Sequence, residues 1–264
     1  MKQANLLLVG LCSLSLMLTS PALAAQKCAS DSAQVGATCV DLYEASVWEI
    51  PAANTKLINK VKQGKATLAD LTGGGATQRG VGGVDDYPCD DNGNDCTDMI
   101  YAVSIPGVKP SANLTWFQAQ QACENAGKRL LHNAEWQQAA AGTPDPGVAD
   151  DDSTTCNTTL DGFPANDPVN TGSRAACVSN RGVFDMVGNV WEWVADWVPR
   201  STGCGSWDFS VDIQCLADAA TSGEPGALIR GGHFAHGTGA GVFAVSGGDG
   251  PGSAGVTTGF RCGR

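Results

Sequence analysis

The sequence is poor in positive charge. Among 264 residues it has 16 lysines and arginines against 27 aspartates and glutamates, which gives a net charge of −11 at pH 7. We therefore predict no nucleic-acid partner and no anionic membrane surface, because both would repel the chain. The sequence also has only three histidines and no Cys-x-x-Cys pair. Zinc sites are built from clustered cysteines and histidines, so this shortage disfavours a zinc protein.

Long apolar runs are lacking too, and the longest one lies at the N-terminus. Lys2 is followed by the apolar segment Leu6–Leu18 and then by a small-x-small sequence that ends at Ala24. This order is typical of a secretory signal peptide, and the run is shorter than the roughly 20 residues that a membrane span needs. We therefore predict a signal peptide over residues 1–24 and an exported protein, periplasmic, secreted or at the cell surface, without membrane insertion.

Cysteine, by contrast, is abundant. The chain has 11 cysteines, and Cys12 would be removed with the signal peptide. An even number of cysteines in an exported chain indicates disulfide bonds. The ten that remain are Cys28, Cys39, Cys89, Cys96, Cys123, Cys156, Cys177, Cys204, Cys215 and Cys262.

The first half of the chain predicts a strand, a helix and a long loop. Cys39–Ile50 alternates in polarity and carries valine, tyrosine and tryptophan, which favours a strand. Lys56–Leu71 has helical spacing of leucine, isoleucine and valine, with Gly64 as a break in the helix. Thr72–Cys96 is rich in Gly, Asp and Asn and is predicted to be a loop pinned by a Cys89–Cys96 bridge.

The clearest helix is predicted over Leu114–Leu130. Thr115 is followed three residues later by Gln118, which is the spacing of a capping box. A second helix is predicted over Asn133–Gly142, with Asn133 as the N-cap and Trp136 buried. With few long helices and many loops, the chain is expected to form a mixed, loop-rich fold.

Four segments in order carry a family resemblance: LTWFQAQQACENAGKRLLHNAEWQQAA, FDMVGNVWEWVADW, LIRGGHF and GFRC. They resemble the formylglycine-generating enzyme, or sulfatase-modifying factor, family. The resemblance implies an α+β fold of the C-type lectin-like type, loop-rich and stapled by disulfides. The implied domain covers residues 39–264, after a cysteine-containing lead-in over residues 25–38.

The resemblance also implies how the cysteines pair. In the family, the cysteine of the first long helix bonds to the cysteine of the last strand, which here gives Cys123–Cys262. The remaining pairs would then close local loops: Cys28–Cys39, Cys89–Cys96, Cys156–Cys177 and Cys204–Cys215.

The segment DMVGNVWE resembles a calcium site of the family. The matching ligands are the side chains of Asp185 and Glu192 and the backbone carbonyls of Gly188 and Val190. Calcium favours about six to eight oxygen ligands and often mixes carboxylates with carbonyls, so a structural Ca²⁺ is expected. The alternative is that Glu192 pairs with a buried arginine and that no metal binds.

Catalysis in the family depends on a copper-binding cysteine pair that follows a Gly-Gly-Ser motif. Here the same place reads GGHFAHGTGAGVF and has no cysteine. His233 and His236 are the only candidate replacements, and two histidines without a third ligand make a poor metal site. We therefore expect no copper and no catalytic residue.

The glycine-rich segment Arg230–Cys262, with its phrases AGVFAV and GFRC, resembles the variable region of diversity-generating retroelement target proteins. Those proteins have the same fold and alternate constant with diversified positions. The implied diversified, ligand-binding positions are His233, Phe234, Ala235, His236, Gly239, Ser246, Gly248, Asp249, Gly255, Val256 and Thr257. All of them except Phe234, Gly248 and Val256 are expected to share one exposed surface. The implied constant positions, with Val242, Phe243 and Phe260 in the core, are Gly231, Gly232, Ala240, Gly241, Val242, Phe243, Ala244, Pro251, Gly259, Phe260, Arg261 and Cys262.

Composition agrees with this resemblance. Retroelement mutagenesis of adenines in AAC codons cannot produce Lys, Glu, Gln, Met or Trp, and none of these occurs between His233 and Thr258. The leading hypothesis is an exported, monomeric, non-catalytic protein that binds a protein or surface ligand of unknown identity. The alternatives are a metal-dependent oxidase of the formylglycine-generating type and an inert structural domain of an envelope complex.

Overall fold

The computed structural model describes residues 27–82, 84–159 and 167–264, so the predicted signal peptide lies outside the described residues. Within them, no helix combines the length and the apolar character that a membrane crossing requires. The helices are α1 Thr55–Lys62, α2 Leu68–Gly73, α3 Trp116–Asn125 and α4 Asn133–Ala140. The strands are β1 Ser32–Val35, β2 Thr38–Asp41, β3 Ser46–Glu49, β4 Thr77–Arg79, β5 Ile100–Val103, β6 Arg129–Leu130, β7 Trp191–Val198, β8 Gly203–Trp207, β9 Ser210–Ala217, β10 Gly226–Arg230, β11 Val245–Ser246, β12 Thr258–Phe260 and β13 Cys262–Gly263.

The strands of the described ranges form three sheets. Their orders are β1-β2-β13-β6, β12-β7-β10-β11-β9-β8 and β4-β3-β5. The six-stranded sheet contains two parallel pairs, β12 with β7 and β11 with β9, and both involve strands of the C-terminal segment. Strands of that segment therefore form part of the main sheet. Strand β1 contains residues of the predicted lead-in, so part of the lead-in lies within the domain.

Two predictions for the first half of the chain need correction. Cys39–Ile50 is not one strand, because β2 and β3 belong to different sheets and the buried Glu44 lies between them. The predicted loop after residue 72 contains the short strand β4, which pairs with β3. The helix break at Gly64 is confirmed: this glycine has a φ of +64°, which favours a residue without a side chain.

Helix α3 has the predicted capping box. The Thr115 hydroxyl accepts from the backbone N–H of Gln118, and the Gln118 side chain accepts from the backbone N–H of Thr115. The helix ends at Asn125, because Gly127 turns the chain with a φ of +70°, and residues 129–130 join β13 as β6.

The N-cap prediction for α4 was wrong by one residue. His132 is the N-cap, and its backbone N–H donates to the carboxylate of Glu135. Asn133 is the first helical residue, and its side chain accepts a hydrogen bond from Arg230 at 2.8 Å. A partner 97 residues away therefore overrides the local capping preference. Trp136 is fully buried, as predicted.

All five disulfides implied by the resemblance are present: Cys28–Cys39, Cys89–Cys96, Cys123–Cys262, Cys156–Cys177 and Cys204–Cys215. Cys123–Cys262 joins α3 to β13 within a core that also contains Leu114, Trp193 and Phe260. Disulfides of this number are typical of an oxidising, non-cytoplasmic environment.

Candidate functional site

The predicted constant positions of the C-terminal segment mostly form buried backbone turns and core. Gly231 and Gly232 have φ of +92° and +83°, and a Cβ on Gly232 would lie 2.6 Å from the Cα of Ala240. Ala240, Phe260 and other constant positions near the end of the chain are buried without exposed area. A side chain at Gly232 would therefore both strain the backbone and collide with the neighbouring turn.

Phe243 is the exposed residue among the constant positions, and the prediction that it lies in the core was wrong. Its side chain is 39% exposed and meets Phe209 edge-on, with ring centroids 5.2 Å apart. The core position is taken instead by Val245, which is 2% exposed and packs with Val194 and Leu228. Val242, predicted in the core as well, is half-buried and packs against the core.

The predicted binding positions differ in exposure. Asp249 and Val256 are exposed, whereas Phe234 and Ser246 are buried. The burial of Ser246 corrects the expectation that it belongs to the exposed surface. Ser246 is held in β11 between β9 and β10, and its hydroxyl accepts from the N–H of Gly248. The half-buried positions are His233, Ala235, His236, Gly239, Gly248, Gly255 and Thr257.

Four of these positions meet around Trp191, at the start of β7. The His236 ring packs edge-on against Trp191 with centroids 5.1 Å apart. Trp191 also lines a cavity of about 150 Å³ together with Trp193, and Asp249, Gly255 and Thr257 complete its wall. We call this feature the Trp191 cavity; its aromatic floor and mixed polar rim can hold a small side chain of a partner.

Two other predicted positions line different cavities. Phe234 borders a cavity of about 460 Å³ together with Lys109, Asn157 and Arg174. Val256 borders one of about 290 Å³ that also includes Lys109. The predicted binding positions therefore do not form a single face but are divided among neighbouring depressions.

His233 and His236 lie side by side, with ring centroids 4.1 Å apart. Burial, and after it the neighbouring His236, lowers the pKa of His233 to about 4, and burial also lowers the pKa of His236. Each Nδ1 accepts a backbone N–H, from Ala235 to His233 and from His233 to His236. Both rings are therefore neutral at neutral pH and stabilise the turn through backbone hydrogen bonds.

The predicted calcium residues lie in a buried acidic cluster. Glu192 contacts the guanidinium of Arg261 at 2.8 and 2.9 Å and accepts from the indole of Trp136 at 2.6 Å. Asp185 accepts from the backbone N–H of Gly172 at 2.7 Å. The pairing of Glu192 with a buried arginine, named above as the alternative, is thus present in the structure.

Sequence reasoning missed a third carboxyl in this cluster, that of Glu44. It is fully buried, accepts from the backbone N–H of Val190, and also accepts from the side chain of Asn189. Burial, and then the charges of Asp185 and Glu192, raises the pKa of Glu44 well above its ordinary value. Burial raises the pKa of Asp185 to about 6. No sequence signal marks Glu44, because it is brought to the cluster by contacts with residues some 145 positions away.

The cluster contains oxygen groups of the kind that calcium prefers as ligands. The carboxyl groups of Glu44, Asp185 and Glu192 are buried, and Glu192 is paired with the guanidinium of Arg261. In the described part of the chain, no trio of His, Cys, Asp or Glu is arranged to hold a metal ion. Calcium would therefore rely on backbone carbonyls, as the resemblance implies for Gly188 and Val190, together with Asp185 and Glu192.

Comparison with known proteins decides the family. The family model described as "Sulfatase-modifying factor enzyme 1-like domain" matches residues 85–264, which is more than half of the chain. The chain belongs to this family. A formylglycine-generating enzyme of Thermomonospora curvata is 28% identical over 176 residues, which cover 58% of this chain and 54% of that protein. A hercynine oxygenase of Mycolicibacterium smegmatis is 29% identical over 139 residues, which cover 50% of this chain and 32% of that protein.

Among solved structures, the Major Tropism Determinant I1 variant is similar, with a TM-score of 0.47 and 18% identity over 89% of this chain and 52% of that one. The chain thus spans about half of the length of the formylglycine-generating enzyme and of the Major Tropism Determinant that it matches. The fold is the α+β, C-type lectin-like fold of the sulfatase-modifying factor family, held by five disulfides.

All ten cysteines among the described residues are bonded in pairs, so none of them is a thiolate that could hold Cu(I). The sequence analysis did not identify Trp191 as the centre of a cavity. It also did not identify the exposed aromatic residues of β8 and its turn, although Trp207 and Phe209 lie close together in the sequence between Cys204 and Cys215.

Proposed function

We propose that the chain is an exported, non-catalytic binding protein whose C-terminal segment carries diversified positions on a constant scaffold. The observation that carries the proposal is the Trp191 cavity, where Asp249, Gly255 and Thr257 line the wall, while His236 packs against the ring of Trp191. The buried turns at Gly231 and Gly232 and the disulfide of Cys262 hold the ends of the segment. Substitution of the cavity residues can therefore change the ligand without changing the fold.

Export and the class of partner belong to the same proposal. Five disulfides support passage through an oxidising compartment, which agrees with a signal peptide over residues 1–24. The acidic surface supports a protein or surface ligand rather than nucleic acid, and it supports a monomer because like charges repel. We place the protein in the periplasm, in the medium or at the cell surface.

Diversification is tested by sequencing the gene in many clones of one population. We expect substitutions in the codons of His236, Asp249, Gly255 and Thr257, introduced at template adenines, and unchanged codons for Gly232 and Cys262. A nearby reverse-transcriptase gene and an AAC-rich near-copy of the segment are expected as well.

The coding segment for residues 84–159 is the control, because it lies outside the predicted variable region. Equal substitution rates in the two segments, or an invariant C-terminal segment with no near-copy, would remove the basis for diversification.

Absence of oxidase activity is a second expected result. Incubated with copper, oxygen and a peptide that carries the sulfatase cysteine motif, the protein should convert no cysteine to formylglycine. The physical reason is that the cysteines of residues 27–264 are all in disulfides, so the thiolate pair that holds copper is not formed. Mass spectrometry of the peptide, compared with copper alone, measures the conversion; turnover above that background contradicts the proposal.

Calcium at the acidic cluster is the remaining part of the proposal. Asp185 and Glu192, with the carbonyls of Gly188 and Val190, would hold the ion, and its role would be to neutralise buried charge rather than to take part in a reaction. The excess of carboxyl groups over guanidinium supports it. The melting temperature, compared in calcium and in chelator, tests it.

A further inference from the structure

Three aromatic side chains form an exposed group beside the C-terminal segment. Phe209 stacks on Trp207 with ring centroids 5.7 Å apart and meets Phe243 edge-on at 5.2 Å. Phe209 is 69% exposed, and Val211, two residues later on β9, is 66% exposed. We call Trp207, Phe209 and Phe243 the aromatic ridge. Contiguous exposed apolar side chains of this kind mark interaction surfaces in soluble proteins.

The ridge is held rigidly although it faces solvent. The backbone N–H of Phe243 donates to the carboxylate of Asp212 at 2.7 Å, and the indole of Trp207 donates to the carbonyl of Phe243 at 3.0 Å. The Cys204–Cys215 disulfide links β8 to β9 behind the turn that carries Phe209. Because the side chains are already fixed, a partner that binds them loses little conformational entropy from this protein.

The hairpin that carries most of the ridge has acidic groups and no basic one. Residues 203–217, which form β8, its turn and β9, contain no lysine, arginine or histidine. They contain two aspartates: Asp208 is exposed and directly precedes Phe209, and the buried Asp212 accepts from the backbone N–H of Phe243. An apolar centre flanked by an exposed carboxylate is complementary to an apolar side chain flanked by positive charge.

A second copy of this chain is a poor occupant, because its matching surface carries the same exposed Asp208 and the whole chain has a net charge of −11. Like charges placed opposite each other in an interface are unfavourable. A basic protein segment, in contrast, gains from both the apolar contact and the charge.

We propose that the aromatic ridge is a docking surface for a protein segment that presents an apolar or aromatic side chain flanked by lysine or arginine. This goes beyond the proposed function, since none of the three ridge residues is a predicted diversified position. The ridge adjoins the diversified loop, because a Cβ on Gly239 would lie 3.6 Å from Ile213 of β9. A partner seated on the ridge would therefore also meet the variable residues.

Two short blocked peptides test the proposal: one alternates lysine with tryptophan, and its match has glutamate in place of every lysine. Binding is followed in ¹H–¹⁵N spectra through the indole N–H of Trp207, which is assigned with the Trp207→Phe variant. We expect the basic peptide to shift this signal and to bind about tenfold or more tightly than the acidic one. Phe209→Ser should weaken binding of the basic peptide by about tenfold or more.

Leu68→Ser is the matched control, because Leu68 is a 40% exposed apolar residue of α2, outside the ridge. It should leave binding of the basic peptide unchanged. Equal binding of the two peptides, or unchanged binding by Phe209→Ser, overturns the proposal.

Two further outcomes also overturn it. One is binding to phosphatidylglycerol vesicles that Phe209→Ser abolishes, which would make the ridge a membrane contact. The other is a concentration-dependent dimer in sedimentation that the same variant dissociates. Neither the peptide nor the vesicle measurement depends on codon variation, so this proposal and the proposed function can fail separately.

Discussion

Replacing Arg261 with methionine is expected to lower the free energy of unfolding by about 3–5 kcal/mol at neutral pH in the presence of a chelator. Methionine fills similar space but donates no hydrogen bond. Glu192 would then be buried with only the indole of Trp136 as a donor, and the carbonyl of Phe184 would lose its guanidinium partner. Urea unfolding followed by tryptophan fluorescence measures the loss.

Arg181→Met is the control for this prediction, because Arg181 is exposed. Its effect should stay below about 0.5 kcal/mol. If the Arg261 variant loses no more than this control, the buried ion pair does not stabilise the fold.

The cost of the Arg261 substitution should also shrink as the pH falls from neutral to about 5. Burial already raises the pKa of Asp185 to about 6 and that of Glu44 well above its ordinary value. Removing the guanidinium raises both pKa values further, so the folded variant binds more protons than the folded parent. The variant therefore regains stability relative to the parent as the pH falls. The titrations of His233 and His236 are common to both proteins and cancel in the difference. A cost independent of pH would show that charge is not its origin.

Calcium binding is tested on the parent protein and on a double variant of the acidic cluster. If calcium neutralises Asp185 and Glu192, its addition should raise the melting temperature of the parent, and a chelator should lower it again. The Asp185→Asn, Glu192→Gln double variant lacks both charged ligands and should not respond to calcium. Identical melting curves of the parent in calcium and in chelator would show that the cluster holds no calcium.

Predictions were most accurate where the physical cause is local or covalent. The Thr115 capping box needs only residues three positions apart, and the helix break at Gly64 needs only a backbone that prefers glycine. The disulfide pairs followed from a resemblance that spans the chain. Errors arose where a distant residue decides the outcome, as when Arg230 binds Asn133 and His132 caps α4 instead.

The candidate site shows the same division. The buried turns at Gly231 and Gly232 follow from the left-handed backbone that glycine allows. The exposure of Phe243 could not be predicted from its own segment, because it depends on Asp212 and Trp207 of β9 and β8, which bind its backbone. Likewise, nothing near His236 in the sequence indicates that its ring lies on Trp191, since β7 is some 45 residues away.

Replacing both Cys123 and Cys262 with alanine is expected to cost about 5 kcal/mol of unfolding free energy. The two residues are separated by 139 positions, so their bond removes much more chain entropy from the unfolded state than a local bridge does. Both are fully buried in the core beside Phe260, so the loss of the bond also loosens the end of the C-terminal segment. Urea unfolding of the variant and of the parent, both under non-reducing conditions, measures the difference.

The Cys204→Ala, Cys215→Ala double variant is the matched comparison, because it removes one bridge that spans only 11 positions. It should cost about 3 kcal/mol, since a shorter loop constrains the unfolded chain less. Its main effect should fall on the aromatic ridge, which the bridge supports, and should appear as a displaced indole signal of Trp207. Equal costs for the two double variants would mean that loop length does not set the contribution of Cys123–Cys262, and that core packing around the bond does.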